Sequence, residues 1–261
     1  MGQTAFGLSL ILMSGHSKWS QIKRQKGAAD AKRAQVFTRL GRELTIAAKH
    51  GGVDPEGNPR LRLAIDHARE ANMPKETIER AIKRGTAHEA GGVELQEVVY
   101  EGYSPGGAAI LVEALTDNRN RTAADVRNVF AKAGGNLGES GSVAWIFEVR
   151  GLINVDANGA DPDELGLLAI DSGAEDVQVD GTAVEIYTPP DQLEAVRRAL
   201  TEGGVAVASA ELVQLPKTTV SLEARQAEQV LRLLDRLDDI DDVQRVSSNA
   251  DFPDEVLAAY A

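Results

Sequence analysis

Lysines, arginines and one tryptophan crowd the start of this 261-residue chain. Residues 14–50 hold nine Lys or Arg against two acidic residues, with Trp19 among them. Cationic side chains bind phosphates and an aromatic ring can stack on a base, so the pattern favours nucleic-acid contact over mere solvation of a helix. The expected contact set is Lys18, Trp19, Lys23, Arg24, Lys26, Lys32, Arg33, Arg39, Arg42 and Lys49.

The charge of the chain is unevenly divided. The net charge of −12 at pH 7 would by itself argue against a polyanionic partner. Residues 13–90, here called the head, nevertheless hold 16 Lys or Arg against nine acidic residues, whereas residues 91–261, the body, hold 12 against 31. A basic end on an acidic remainder favours a polyanion as the partner of the head.

A second candidate contact precedes a predicted helix over Ala123–Ala133, which Thr122 and Asp125 would open as a capping box. Polar groups at a helix N-terminus can receive phosphate, but the same residue types also cap turns and pair with neighbours, so both interpretations stay open. A glycine-rich loop at 134–142 lacks the lysine of a phosphate-binding loop and is interpreted as a hinge. The candidate loop contacts are Asp117, Asn118, Arg119, Asn120 and Arg121.

Several kinds of chemistry are disfavoured. The chain has no cysteine, which excludes disulfides, cysteine-zinc sites, iron-sulfur clusters and thiol catalysis. Its four histidines match no metal-binding spacing, and the aspartates of residues 238–242 are interpreted as a solvated turn. We therefore expect a non-enzymatic protein with no metal, no cofactor and no evident small-molecule substrate.

Residues 1–12 carry no charge and are interpreted as a disordered extension, with Met13 as the functional start. Their apolar run is too short to cross a bilayer, and no later segment is long and apolar enough. We expect no membrane partner and a cytoplasmic location.

The head is predicted to be helical. A first helix over residues 31–49 should end at Gly51-Gly52, and prolines favour further helix starts at Asn58-Pro59 and Met73-Pro74. The last helix is expected to stop at a left-handed Gly85. The predicted core side chains are Phe37, Leu40, Leu44, Ala47, Ala48, Leu61, Ala64, Ile65, Ala68, Ile78, Ala81 and Ile82.

The body is predicted to be α+β. Strands at 94–103 and 108–115 and the helix after them would be completed by a strand at 211–220, a helix at 223–237 and a strand at 243–246. The segment from Trp145 to Val207 has a βαββαβ order, typical of a ferredoxin-like domain. The expected organisation is an all-helical head followed by two ferredoxin-like α+β domains, one inserted in the other, although the same pattern also allows an arrangement without insertion. The expected boundaries are 13–90, 91–138 with 208–250, 139–207, and a tail at 251–261.

Long sequence blocks also resemble the YebC family. They include Gly15 to Trp19, Asn58 to Arg62, Ala71 to Lys75, Ile78 to Gly85, Tyr100 to Tyr103, Leu115 to Thr122, and Gly134 to Gly138 followed by Gly141 to Trp145. The resemblance is sharp from Met13 to about Glu148 and general beyond it. It implies three domains around a cleft, the two α+β domains being nested.

The resemblance also implies a function. Members of the YebC family are described as probable DNA-binding transcriptional regulators, and others as translational activators at the ribosome. We therefore expect a non-enzymatic, nucleic-acid-binding regulator of gene expression, with duplex DNA as the expected partner and ribosomal RNA as the alternative. A protein scaffold, in which the head binds an acidic protein surface, is a second alternative. A hydrolase that uses carboxylates of the body is a third and would require metal-dependent turnover.

Overall fold

The computed structural model describes residues 30–86, 94–157 and 161–260, and it is a mixed helix and sheet protein as expected. The head contributes helices α1 (Asp30–Gly51), α2 (Pro59–Glu70) and α3 (Lys75–Thr86). The described body contains, in order, β1 (Gln96–Tyr103), β2 (Ala109–Thr116), α4 (Arg119–Lys132), β3 (Asn136–Leu137), a 3-10 turn (Ala144–Ile146), β4 (Phe147–Asp156), α5 (Pro162–Asp171), β5 (Asp176–Asp180), β6 (Ala183–Thr188), α6 (Leu193–Glu202), β7 (Val207–Pro216), β8 (Val220–Ser221), α7 (Ala224–Asp238), β9 (Val243–Ser248), β10 (Ala250–Asp251) and α8 (Asp254–Tyr260).

The head helices pack through the apolar faces that the sequence predicts. All twelve predicted core side chains belong to the head core, with Phe37, Leu40 and Ile82 partly buried at its edge. Helix α1 ends as predicted, because Gly52 takes a left-handed φ of 84° and its N–H bonds the carbonyl of Ala48 at 3.0 Å.

Gly85 has a different role from the expected one. It lies inside α3, and a Cβ atom there would come within 2.3 Å of the Thr45 carbonyl oxygen and 3.0 Å of the Ala48 Cβ. The hydroxyl of Thr45 also donates to the Ala81 carbonyl at 3.0 Å. Glycine is therefore required for the close approach of α1 and α3, and the expected left-handed stop is wrong.

Asn58 joins two helices of the head. Its side chain accepts a hydrogen bond from the Leu61 N–H at 3.1 Å and so caps α2, which starts at the predicted place. Its amide also donates to the carbonyls of Ala47 and Gly52, each at 2.8 Å. One buried side chain thus fixes the end of α1 against the beginning of α2.

The outer sheet of the body has the antiparallel order β3-β1-β2-β9. Helices α4 and α7 bury their apolar faces against it in one core that includes Phe130, Leu231 and Leu234. The strand expected here at 211–220 is absent from this described sheet, and β3 is its fourth strand instead. Residues 254–260, expected as a tail, form α8, which adds Val256 and Leu257 to the same core.

The inserted sheet has the order β5-β6-β4-β7, all antiparallel, with α5 and α6 packed into its core. This is the strand order of a ferredoxin-like fold, as predicted. The sequence divides its last strand in two, at 205–207 and 211–220, and assigns the second piece to the outer sheet. Instead β7 runs unbroken from Val207 to Pro216 and pairs with β4.

A two-stranded ribbon links the two sheets. Strand β4 pairs with β6 over residues 151–156 but with β7 over residues 147–155, so residues 147–150 and 213–216 form a pair without the third strand. At its end Phe147 packs with Ala109 and Leu111 of β2. The chain therefore enters and leaves the inserted sheet through neighbouring strands.

No helix within the described ranges combines the length and the apolar character needed to cross a bilayer.

Candidate nucleic-acid interface

One face of α1 lies against the end of α7. Gln35, Arg39 and Arg42 are four and three residues apart and share a helix face, which we call the docking stripe. They contact residues 238–242, which we call the acidic turn, where α7 ends and β9 begins. The amide of Gln35 donates to the Asp239 carbonyl at 2.8 Å. Two predicted nucleic-acid contacts, Arg39 and Arg42, thus face the body.

Arg39 forms an incomplete ion pair. Its Nη1 lies 3.3 Å from both carboxylate oxygens of Asp238, and the two side chains are only 17% and 16% exposed. Its Nε and Nη2 atoms are buried without a hydrogen-bond partner among the described residues. Within the described residues, the Nε and Nη2 edge, one of the edges through which a guanidinium can make a two-pronged contact with a carboxylate or phosphate, is therefore unused.

Asp242 joins the head to the predicted contact loop. Its Oδ1 lies 2.9 Å from Arg42 Nη2, and its Oδ2 accepts from Arg121 Nη2 at 2.7 Å. The hydroxyls of Thr122 and Thr116 lie 2.7 Å and 3.1 Å from the same Oδ2. We call this arrangement the Asp242 hub. It corrects the expectation of a solvated turn for Asp242, which is 4% exposed, whereas Asp239 and Asp241 are exposed as expected.

The surroundings of Asp242 stabilise its charged form. Burial by itself would raise the pKa of this carboxyl. Hydrogen bonds from Arg121 and Thr122, the charge of Arg42 and a hydrogen bond from Thr116 outweigh burial and hold the pKa below its ordinary value. The Asp242 carboxyl is therefore ionised in the folded protein near neutral pH.

The contact loop is mostly the first turn of α4. Asn118, rather than Thr122, caps the helix by accepting from the Arg121 N–H at 3.1 Å, so the predicted capping box is wrong. Arg121 also pairs with Asp117 at 2.8 Å. Arg119 and Asn120 are exposed, and the Arg119 side chain makes no ion pair with any described residue. The loop thus contains both internal pairs and accessible polar groups.

The remaining predicted head contacts differ in their surroundings. Arg33 is exposed and makes no ion pair within the described part of the chain. Lys49 pairs with Glu94 at 2.7 Å, an exposed contact. The side chain of Lys32 lies outside the described residues, as do Lys18, Trp19, Lys23, Arg24 and Lys26.

Sequence reasoning missed a basic face on α3. Arg80, Lys83 and Arg84 are exposed and, among the described residues, none of them has an ion-pair partner. Their spacing of three and four residues places them on one face, which we call the α3 basic face. The same helical periodicity in the sequence could have shown it.

Backbone N–H groups at the end of the glycine-rich loop and in the two residues that follow it already hold an anion. The buried carboxylate of Glu101 accepts from the N–H groups of Gly141, Val143 and Ala144 at 2.6, 2.7 and 2.8 Å. Burial would raise the pKa of Glu101, but these three bonds lower it below its ordinary value. The chain's own carboxylate therefore takes the place that a phosphate would need.

Trp145 is the most exposed aromatic side chain in the described body, with 66% of its surface accessible. Its indole N–H donates to the Ser142 carbonyl at 3.1 Å, which fixes one edge of the ring. Lys217 donates to the backbone carbonyl of Trp145 at 3.2 Å, so a cation is held at the backbone of the same residue. The pair offers one stacking surface and one positive charge.

Two family models match the chain. One, described as the N-terminal domain of the TACO1/YebC protein, matches residues 17–88. The other, described as the second and third domain of TACO1/YebC, matches residues 95–250. Together they cover the described head and nearly all of the described body.

Curated relatives and a solved structure agree with these matches. A probable transcriptional regulatory protein of Dehalococcoides mccartyi strain CBDB1 is 56% identical over 248 residues, covering 95% of this chain and 98% of the relative. One of Dictyoglomus turgidum is 54% identical over 246 residues, covering 94% and 98%. The crystal structure of a conserved hypothetical protein, Aq1575 from Aquifex aeolicus, is 48% identical with a TM-score of 0.79, covering 86% of this chain and 92% of that one.

Proposed function

Because this chain belongs to the TACO1/YebC family, we propose that it is a non-enzymatic regulator of gene expression that binds nucleic acid through its head. The names of its relatives support the regulatory role. The observation that carries the binding role is the α3 basic face, three exposed cations without described ion-pair partners in a protein of net charge −12. Phosphate contact is what such a face favours.

The proposed contact surface extends the one predicted from sequence. It comprises the α3 basic face, Arg33, Lys49 and the predicted residues from Lys18 to Lys32, with Arg119 and Asn120 as a second contact. Arg39 and Arg42 can join it only after their ion pairs with the body have opened. Duplex DNA is the proposed ligand and the cytoplasm the proposed location.

The test compares two triple charge reversals in the full chain. The head variant reverses the charges of the α3 basic face with Arg80→Glu, Lys83→Glu and Arg84→Glu. The control variant makes the same change in net charge at exposed body positions without described ion pairs, with Arg198→Glu, Arg225→Glu and Arg236→Glu. Binding to duplex DNA is measured by fluorescence anisotropy across a salt titration. We expect the head variant to bind at least about tenfold more weakly, with a salt slope lower by about two to three.

The two variants separate specific contact from overall charge. If both weaken binding equally, the head is not the contact surface. If neither the wild type nor the variants bind DNA or co-sediment with ribosomes at low salt, the proposed function is wrong.

One observation favours ribosomal RNA as a second candidate ligand. Unpaired bases in RNA loops can stack on an exposed aromatic ring, whereas bases inside a duplex cannot, and the exposed ring of Trp145 provides such a surface. Trp145→Ala should weaken co-sedimentation with ribosomes by about 1 to 3 kcal/mol while leaving duplex DNA binding unchanged. If Trp145→Ala co-sediments with ribosomes as strongly as the wild type does, the support for RNA is removed.

A further inference from the structure

The head is joined to the body by charged and polar side chains. The described head core contains no residue of the body, although Leu63 of α2 packs against the core of the inserted sheet. Besides the docking stripe, Arg60 pairs with Glu97, Asp66 with Arg197 at 3.4 Å, and a ring nitrogen of His67 lies 2.9 Å from the Ala210 carbonyl. Polar interfaces of this kind open more readily than apolar ones, and salt weakens their ion pairs.

The acidic turn presents oxygen atoms in the manner of a phosphate chain. Two guanidinium groups one turn apart on α1 donate to these oxygens. Arg39 contacts the carboxylate of Asp238, and Arg42 contacts the Asp241 carbonyl and the carboxylate of Asp242. A guanidinium group bonds carboxylates and phosphates with the same fork of N–H groups. The residues that a phosphate polymer would engage are therefore engaged by the protein itself.

The fit of this contact is poor at Arg39. Both distances to Asp238 are 3.3 Å, and two buried nitrogens of the guanidinium have no described partner. Buried donors without partners destabilise an arrangement, since they have lost water and gained nothing in return. A phosphate that engaged Nε and Nη2 would remove this penalty.

We propose that the acidic turn is an internal competitor of nucleic acid, which holds the docking stripe until a phosphate polymer displaces it and frees Arg39 and Arg42. This inference rests on the proposed function. Opening the contact removes Arg42 from the Asp242 hub but leaves Arg121, Thr116 and Thr122 on the opposite carboxylate oxygen. The body therefore keeps its own hydrogen bonds when the head is released.

A pair of neighbouring aspartates tests the competition. Asp238→Asn weakens the ion pair with Arg39, whereas Asp239→Asn makes the same charge change at an exposed side chain that has no ion pair with a described residue. We expect Asp238→Asn to bind duplex DNA about fivefold more tightly than Asp239→Asn, the ratio that an ion pair of ~1 kcal/mol gives. Equal affinities of the two variants would overturn the competition.

A distance measurement tests release without relying on affinity. The chain has no cysteine, so nitroxide labels can be placed at Glu76→Cys in the head and Asn128→Cys in the body, both exposed. Pulsed dipolar spectroscopy should show longer distances on adding DNA or salt, and already at low salt in Asp238→Asn but not in Asp239→Asn.

The outcomes separate this inference from the proposed function. If DNA binds with the labels at an unchanged distance in every variant, the proposed function stands and the competition is wrong. If no nucleic acid binds at any salt concentration, the proposed function and the displacement both fail.

Discussion

Two carboxylates, Glu101 and Asp242, are each 4% exposed, yet their partners differ in kind. Glu101 accepts from three backbone N–H groups of a loop nearby, whereas Asp242 accepts from side chains that belong to the head and to α4. Backbone donors cannot leave unless the loop unfolds, but a side chain can rotate away. The first carboxylate therefore fixes a loop permanently, and the second joins parts that can separate.

The largest expected effect is on the Glu101 loop. Glu101→Ala leaves three backbone N–H groups without an acceptor and should lower the free energy of unfolding by about 3 kcal/mol, measured by urea denaturation. Glu97→Ala removes an exposed carboxylate from the same strand and should cost under about 0.5 kcal/mol. A loss below about 1 kcal/mol for Glu101→Ala would show that the loop does not depend on this anion.

Asp242→Ala should have the next largest effect, about 2 kcal/mol, because it leaves Arg121 and two hydroxyls without their acceptor. It should also undock the head, seen as a longer distance between labels at Glu76→Cys and Asn128→Cys. Asp241→Ala is the control, since its contact to Arg42 is through the backbone carbonyl. If the two variants are equally stable, the hub adds no stability.

Acid should weaken both carboxylate sites. The folded-state pKa of each is lowered, so each adds stability above the ordinary carboxyl range, and that stability is lost as pH falls through the lowered folded-state pKa. The stability difference between wild type and Glu101→Gln, or between wild type and Asp242→Asn, should therefore be constant near pH 7 and shrink below about pH 4. A difference that grows on acidification would reverse the assigned direction.

The smallest expected effect is at an exposed pair between head and body. Lys49→Ala removes the contact with Glu94 and should change the unfolding free energy by under about 0.5 kcal/mol, because water screens both groups. A larger loss would mean that exposed and buried ion pairs contribute alike here, and the contrast between the two kinds of site would fail.

The local elements were predictable because their signals are local. Asn58-Pro59 opens α2 and Gly51-Gly52 ends α1 through geometry that neighbouring residues alone determine. The apolar spacing of the head gives its core correctly, and the βαββαβ order gives the inserted sheet. In each case the signal, whether a capping residue, an apolar spacing or an order of elements, can be read from residues close together in the sequence.

The misjudged features depend on distant partners. Gly85 resembles a helix stop until the approach of Thr45 is known, and residues 211–216 pair with β4 across 59 to 69 positions. Asp238 and Asp242 look solvated because the head arginines that reach them lie some two hundred residues earlier. A basic stripe likewise gives no sign of which cations the body will engage.

The ribbon between the two sheets bears on the order of folding. Strand β9 must find β2 across a stretch that contains the entire inserted sheet, and closing so long a loop is entropically unfavourable. Once β4 and β7 have paired, Phe147 and Pro216 are neighbours and the intervening chain no longer adds to that loop. We therefore expect the inserted sheet to form first and, by pairing β4 with β7, to shorten the effective loop that β2 and β9 must close.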